Sequence, residues 1–191
     1  GEETALLAAQ RAAGDAGVPV ELLIVPRHAE RRDEIEALLK SSGRPYHFRS
    51  RGACAGEVEV TVADTTGELR RLAQLADLVF CGKSLPPHTE GQTPVEAAAL
   101  GKAILFGPGM ANFRPIVREL LACGGAQKVP DETGLAAACV RLLGDDAQRA
   151  AMAAAARAWQ QANQGAAART LEILRGVLEE TAQAGSKQLN R

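Results

Sequence analysis

The chain has 191 residues, of which 46% are apolar and 24% charged, with a formal net charge of −1. That length suits one large domain, and the apolar content supports a packed core instead of a disordered chain. Near-neutral charge and only 3% aromatic residues leave no electrostatic footprint for nucleic acid and no stacking platform for single strands, so no nucleic-acid partner is expected.

Glu3 to Ala16 is alanine-rich, with Leu6, Ala9, Ala13 and Ala16 on one face, which predicts a helix stopped by Gly17 and Pro19. Val20 to Val25 reads as a buried strand ended by Pro26-Arg27-His28. Glu30 to Lys40 predicts a helix with Ile35, Leu38 and Leu39 inward and Gly43 as its C-terminal cap. Short strands are expected at Tyr46 to Ser50 and Val58 to Val62. A helix over Gly67 to Ala76 should bury Leu69, Leu72 and Leu75.

Leu78 to Cys81 is an apolar run consistent with a strand buried on both faces. A polar loop from Gly82 to Thr93 leads to Pro94, well placed at the first turn of a helix that ends at Gly101. Ala103 to Phe106 is the next buried strand. A helix follows over Asn112 to Ala122, then a short strand over Ala126 to Val129. Asp131 caps a helix to Leu143, Asp145 or Asp146 opens an alanine-rich one to about Asn163, and a last helix carries Leu171, Leu174, Val177 and Leu178. The tail from about residue 184 is expected to fray. Strands and helices alternate throughout, so the class is α/β with a mostly parallel sheet and right-handed crossovers.

No apolar run is long enough to span a bilayer and no signal peptide is apparent, so a soluble cytosolic piece is expected. Cys54, Cys81, Cys123 and Cys139 share no metal-ligand spacing and read as small core residues of a reducing compartment. His28, His47 and His88 share no helical face, so no metal is expected. There is no P-loop, no G-x-G-x-x-G after a strand and no supported Ser-His-Asp arrangement.

In a parallel sheet, ligands bind outside the carboxyl ends of the strands, where loops and helix N-termini offer backbone N–H groups to anions. Polar residues follow nearly every predicted strand: Arg27 and His28; Ser50 and Arg51; Asp64, Thr65, Gly67 and Glu68; Gly82, Lys83, Ser84 and His88; Gly91, Thr93 and Glu96. Each has a plainer explanation. Arg27, Lys83 and His88 suit solvated loops, Asp64 could cap the Gly67 helix, and Glu96 could pair with a neighbouring base.

Leu23 to Arg31 (LIVPRHAER), Asp64 to Leu69 (DTTGEL), Phe80 to Leu85 (FCGKSL), Gly91 to Ala98 (GQTPVEAA) and Phe106-Gly107-Pro108 with Asn112-Phe113 form a collinear series. It resembles the bacterial 3-deoxy-D-manno-octulosonic acid (Kdo) transferases from about Gly1 to Leu174, and Gly1-Glu2-Glu3 resembles the GEE after the first strand of their C-terminal domain. The resemblance implies a Rossmann-like doubly wound sheet, the C-terminal, donor-binding half of a GT-B glycosyltransferase, over residues 1–183. The donor would be CMP-Kdo, without metal or other cofactor. The acceptor would be a lipid A precursor at the cytoplasmic face of the inner membrane, in lipopolysaccharide biosynthesis.

Carried over residue by residue, Arg27 and His28 would border the cytidine, and Asp64, Thr65, Gly67 and Glu68 would lie beside the nucleotide. Glu96 would accept the ribose hydroxyls, while Gly82, Lys83, Ser84, Gly91 and Thr93 would face the phosphate and sugar. Catalytic residues are not identified, and the general base is expected in an N-terminal acceptor domain absent from these residues. Isolated, the chain would bind donor and transfer nothing. Two departures stand out: Lys83 replaces the second loop glycine, and Glu90-Gly91-Gln92-Thr93 replaces Gly-Gly-His-Asn with one extra residue. Other readings are a different GT-B enzyme using a UDP-sugar, or a non-catalytic interaction module.

The strand expected before Gly1 is also absent. In a 3-2-1-4-5-6 sheet it would lie between Val20–Val25 and Leu78–Cys81, so either those strands close up or another segment or chain fills the gap. Helices that pack on a missing half, notably the last, should turn an apolar stripe to solvent.

Overall fold

A computed structural model describes residues 1–189, with side chains described at 1–165 and 168–179. In chain order the elements are α1 (Glu3–Asp15), β1 (Leu22–Ile24), α2 (Arg32–Ser42), β2 (Tyr46–Phe48), β3 (Val60–Val62), α3 (Leu69–Leu72) and β4 (Leu78–Cys81). There follow α4 (Val95–Ala99), β5 (Ala103–Phe106), α5 (Arg114–Ala122), β6 (Ala126–Lys128), α6 (Glu132–Gly144), α7 (Asp146–Ala162) and α8 (Ala166–Leu189). Single 3-10 turns lead into α2 and α5, and another follows α3. The α/β alternation expected from the sequence holds, and every strand pairing is parallel.

Local signals act as their chemistry dictates. Gly43 ends α2 in the left-handed region at φ 68°. The Asp131 carboxylate accepts the Gly134 N–H at 2.8 Å and the Asp145 carboxylate that of Gln148 at 2.9 Å, starting α6 and α7. Helix α8 runs through the segment expected to fray, and residues 190 and 191 of that tail lie outside the described residues.

The strands form two sheets of three, ordered β1-β3-β2 and β4-β5-β6. The expectation that the strands around Val20–Val25 and Leu78–Cys81 close up is corrected: β1 and β4 do not pair, and no other described segment pairs between them. Helix α1 fastens to both halves. Its Ala5 and Ala9 pack with Leu85, Leu105, Val129, Leu135, Ala138 and Leu142, whereas its Leu7 joins Ile24, Ile35, Leu39, Phe48, Val60 and Val62.

The sheet of β4, β5 and β6 is covered on both faces. Along β5, Ile104 and Phe106 face a cluster with Leu120 and Ala156, while Leu105 faces α1 and α6. Alternation of side chains along a strand explains why a continuous apolar run is required there.

Four residues expected to be buried are exposed. Leu69 and Leu75 are 46% and 77% exposed, and within that helix only Leu72 is buried. The α-helix lasts a single turn and then tightens to a 3-10 turn at Ala73–Leu75, so the 3.6-residue face is not continued. Cys54 and Cys123 are exposed, leaving Cys81 buried and Cys139 partly so; all four are free thiols. Helix α8, as anticipated, exposes Leu171, Ile173, Leu174, Val177 and Leu178.

No helix among the described residues is long and apolar enough to cross a membrane.

Candidate functional site

The first three residues tie the strand ends together. The Glu2 carboxylate accepts the backbone N–H groups of Lys83, Ser84 at 2.9 Å and Leu85 at 2.8 Å, at the carboxyl end of β4. Glu3 meets Arg31 in a two-pronged pair at 2.7 and 3.1 Å, beside the connection from β1 to α2. Successive residues at the start of α1 therefore join the carboxyl ends of the two half-sheets. Burial, the largest single influence, would raise the Glu3 carboxyl, but the Arg31 guanidinium, the N-terminal ammonium and a backbone hydrogen bond together hold the group at about 2.

On the side of β1, β2 and β3, parallel register places Ile24 opposite Val62 and Phe48 opposite Val62. Arg27-His28, Arg49-Ser50-Arg51 and Asp64-Thr65 consequently emerge from one edge. Arg27 is exposed and His28 approaches Glu30 at 3.2 Å.

Asp64 is engaged by its neighbours. Its carboxylate accepts the Ser50 N–H at 2.9 Å and the Ser50 hydroxyl at 2.5 Å, with Arg32 Nε at 3.5 Å. Burial pushes this carboxyl up, and the Ser50 bonds more than reverse that, leaving it below its usual range. Glu68 accepts two bonds from Arg49, both 2.6 Å, and one from the Thr65 hydroxyl. Arg49 and Thr65 together hold its carboxyl at about 2. Both carboxylates are thus ionised and already partnered. They hold Ser50, Arg32 and Arg49 in place at this edge. Gly67, at φ 82°, makes the tight turn before α3.

On the side of β4, the loop after the strand is held by its backbone. Gly91 N–H donates to Lys83 O at 2.8 Å and Gln92 N–H to Gly82 O at 3.0 Å. Lys83 lies at φ 54°, the one left-handed residue other than glycine among those described. Its side chain is exposed. Ser84 is wholly buried: its hydroxyl donates to Cys81 O at 2.6 Å and accepts the Gly107 N–H at 2.8 Å. The Thr93 hydroxyl accepts the Val95 N–H at 3.3 Å, starting α4. Glu96 is exposed in the first turn of α4, close enough to Cys81 that, after burial, its charge helps push that thiol up to about 12.

Arg27, Lys83 and Glu96 make no ion pair among the described residues. A chain of contacts connects Asp64 with Lys83 and Gly91: Asp64 to Arg32, the adjacent Arg31 to Glu3, the adjacent Glu2 to Lys83, and Lys83 to Gly91. No group of three or more His, Cys, Asp or Glu side chains suited to a metal occurs among the described residues.

No family model matches the chain. Over 157 residues it is 38% identical to the 3-deoxy-D-manno-octulosonic acid transferase of Bordetella pertussis, covering 80% of this chain and 36% of that protein. The enzyme of the same description in Haemophilus influenzae is 31% identical over 181 residues, 94% of this chain and 42% of its own. A solved structure, the C-terminal CMP-Kdo binding domain of WaaA from Acinetobacter baumannii, superposes with a TM-score of 0.73 and 26% identity, covering 78% of each chain. This chain is a relative of the Kdo transferases.

The fold is accordingly Rossmann-like, and the chain spans 36% and 42% of the length of the first two relatives. Against the Kdo-transferase signature, the departure at Lys83 falls where the backbone adopts a glycine-favouring conformation. Glu2, Glu3, Arg31, Arg32 and Arg49 were not nominated from sequence as site residues. The available signal was the pair of acids directly before an alanine-rich helix, but its partners lie 81 to 83 and 28 residues away, beyond any local pattern.

Proposed function

We propose that this chain is the donor-binding domain of a Kdo-transferase-like glycosyltransferase of the GT-B kind, which carries the sugar of CMP-Kdo to a lipid A precursor. The observation that carries the reading is the two-way coverage of a CMP-Kdo binding domain from Acinetobacter baumannii, at a TM-score of 0.73. Glu96 accepts the ribose hydroxyls, Arg27 and His28 border the base, and Asp64, Thr65, Gly67 and Glu68 shape the nucleotide edge through Ser50, Arg32 and Arg49. Gly82, Lys83, Ser84, Gly91 and Thr93 form the wall toward phosphate and sugar, Ser84 by shaping the loop, since its hydroxyl and its N–H are both spent inside the fold.

Exposed and unpaired charges favour this division of labour, because Lys83 can meet a phosphate and Glu96 can accept hydroxyls without breaking an existing pair. The proposed chemistry is inverting displacement at the anomeric carbon with CMP leaving and no metal. The general base and the acceptor site belong to an N-terminal domain, whose connection would supply the strand between β1 and β4. The complete enzyme would work at the cytoplasmic face of the inner membrane.

Titration of the chain with CMP tests the proposal. Amide shifts should cluster around Arg27, Asp64 and Glu96, and Glu96→Ala should cost about 1.5–3 kcal/mol of binding. Shifts confined elsewhere would overturn it. Tighter binding of UDP than of CMP would favour a different nucleotide-sugar donor.

A further inference from the structure

We infer that Glu2 is the positioning residue of the loop that follows β4, its carboxylate acting as the template on which residues 82 to 92 take their shape. Three consecutive N–H groups, of Lys83, Ser84 and Leu85, point at this one carboxylate. Successive amides can converge on a single anion only where the backbone curls, and Lys83 at φ 54° supplies that curl despite its side chain. The carbonyls of the same stretch are used in the opposite direction. Gly82 O and Lys83 O accept from Gln92 and Gly91, Ser84 O from Gly109 at 2.7 Å, and Leu85 O from His88 at 2.9 Å.

The N–H groups of residues 83 to 85 thus all end on Glu2, while the carbonyls of residues 82 to 85 carry the shape on to residues 88, 91, 92 and 109. A Cβ at Gly82 would lie 3.0 Å from the Glu2 carboxylate oxygen, so the fit leaves no spare room on that side. Through this contact Glu2 sets where the exposed Lys83 side chain and the Gly91–Thr93 approach to α4 stand. Its role is indirect, because its own oxygens are occupied and do not face a ligand. The consequence for donor affinity rests on the donor-binding reading above, whereas the consequence for the loop does not.

Two readouts on the 191-residue chain separate these. In Glu2→Ala, the amide signals of Lys83, Ser84, Leu85, Gly91 and Gln92 should move, and hydrogen exchange at 83–85 should quicken by about tenfold or more, while amides of β1, β3 and α2 stay in place. Formate, a small free carboxylate, should return the signals toward their original positions at high concentration and leave the unsubstituted chain unaffected. The Kd for CMP should rise about tenfold in Glu2→Ala and recover with formate.

Unmoved 83–85 amides in Glu2→Ala would overturn the inference. So would a variant whose whole spectrum and thermal midpoint collapse together with no recovery in formate, since that is what loss of a general structural contact produces. A CMP affinity in Glu2→Ala within twofold of the original would overturn the link to the donor. If the unsubstituted chain binds no CMP, the donor reading fails, and the amide and formate readouts still support or overturn the loop assignment.

Discussion

Replacing Ser84 by alanine separates a ligand contact from a fold contact at a position nominated for the first. The hydroxyl is completely buried and joins the ends of β4 and β5, donating to Cys81 O at 2.6 Å and accepting the Gly107 N–H at 2.8 Å. Alanine removes both bonds and admits no water, so the buried Gly107 donor goes unpaired. An unsatisfied buried donor costs about 1–3 kcal/mol and the lost bond to Cys81 O about 0.5–1.5 more, giving about 1.5–4.5 kcal/mol in all.

For a chain of this length that corresponds to a fall in Tm of roughly 3–18 °C. Urea denaturation should show a lower midpoint with an unchanged m value, the mark of altered stability and not of an altered native or denatured state. A loss below about 0.5 kcal/mol accompanied by weaker CMP binding would refute the reasoning. It would mean that the hydroxyl faces the donor and that Gly107 has another partner.

Glu3→Gln should cost about 1–3 kcal/mol at neutral pH, because it leaves the Arg31 guanidinium without its better-buried partner. The folded Glu3 carboxyl stands at about 2 against an ordinary 4.5, so its contribution is present above pH 4.5 and disappears as pH falls toward 2. Unfolding measured across that window should be less pH-dependent in Glu3→Gln, and an unchanged slope would contradict the pairing. Leu171→Gln and Leu178→Gln, at sites 65% and 69% exposed, should each cost under about 0.5 kcal/mol in this chain. A loss above about 1 kcal/mol by urea melt would show that α8 docks on the domain. A thiol reagent should label the exposed Cys54 and Cys123 quickly and Cys81, pushed up to about 12 by burial, only on unfolding; equal rates in the folded chain would place Cys81 at the surface.

Much of this molecule was legible from local patterns. Val20 to Val25, Leu78 to Cys81 and Ala103 to Phe106 announce strands by being apolar on both faces, and Gly43, Asp131 and Asp145 mark helix ends by chemistry that acts within four residues. Collinear motifs carried the kinship with the Kdo transferases, since several short matches in order specify a fold more strongly than any one of them.

What sequence could not supply is the partner of each charge. Asp64 and Glu68 were nominated as groups free to meet a nucleotide, yet they hold Ser50 with Arg32, and Arg49 with Thr65. Those pairings join separate strands and depend on parallel register, which no local period encodes. The same holds for Glu2, whose three donors lie more than eighty residues along the chain. Periodicity says which face of an element is apolar, and local chemistry says where it stops. Only folding decides which polar ends meet, because that depends on how two half-sheets seat on opposite faces of one helix.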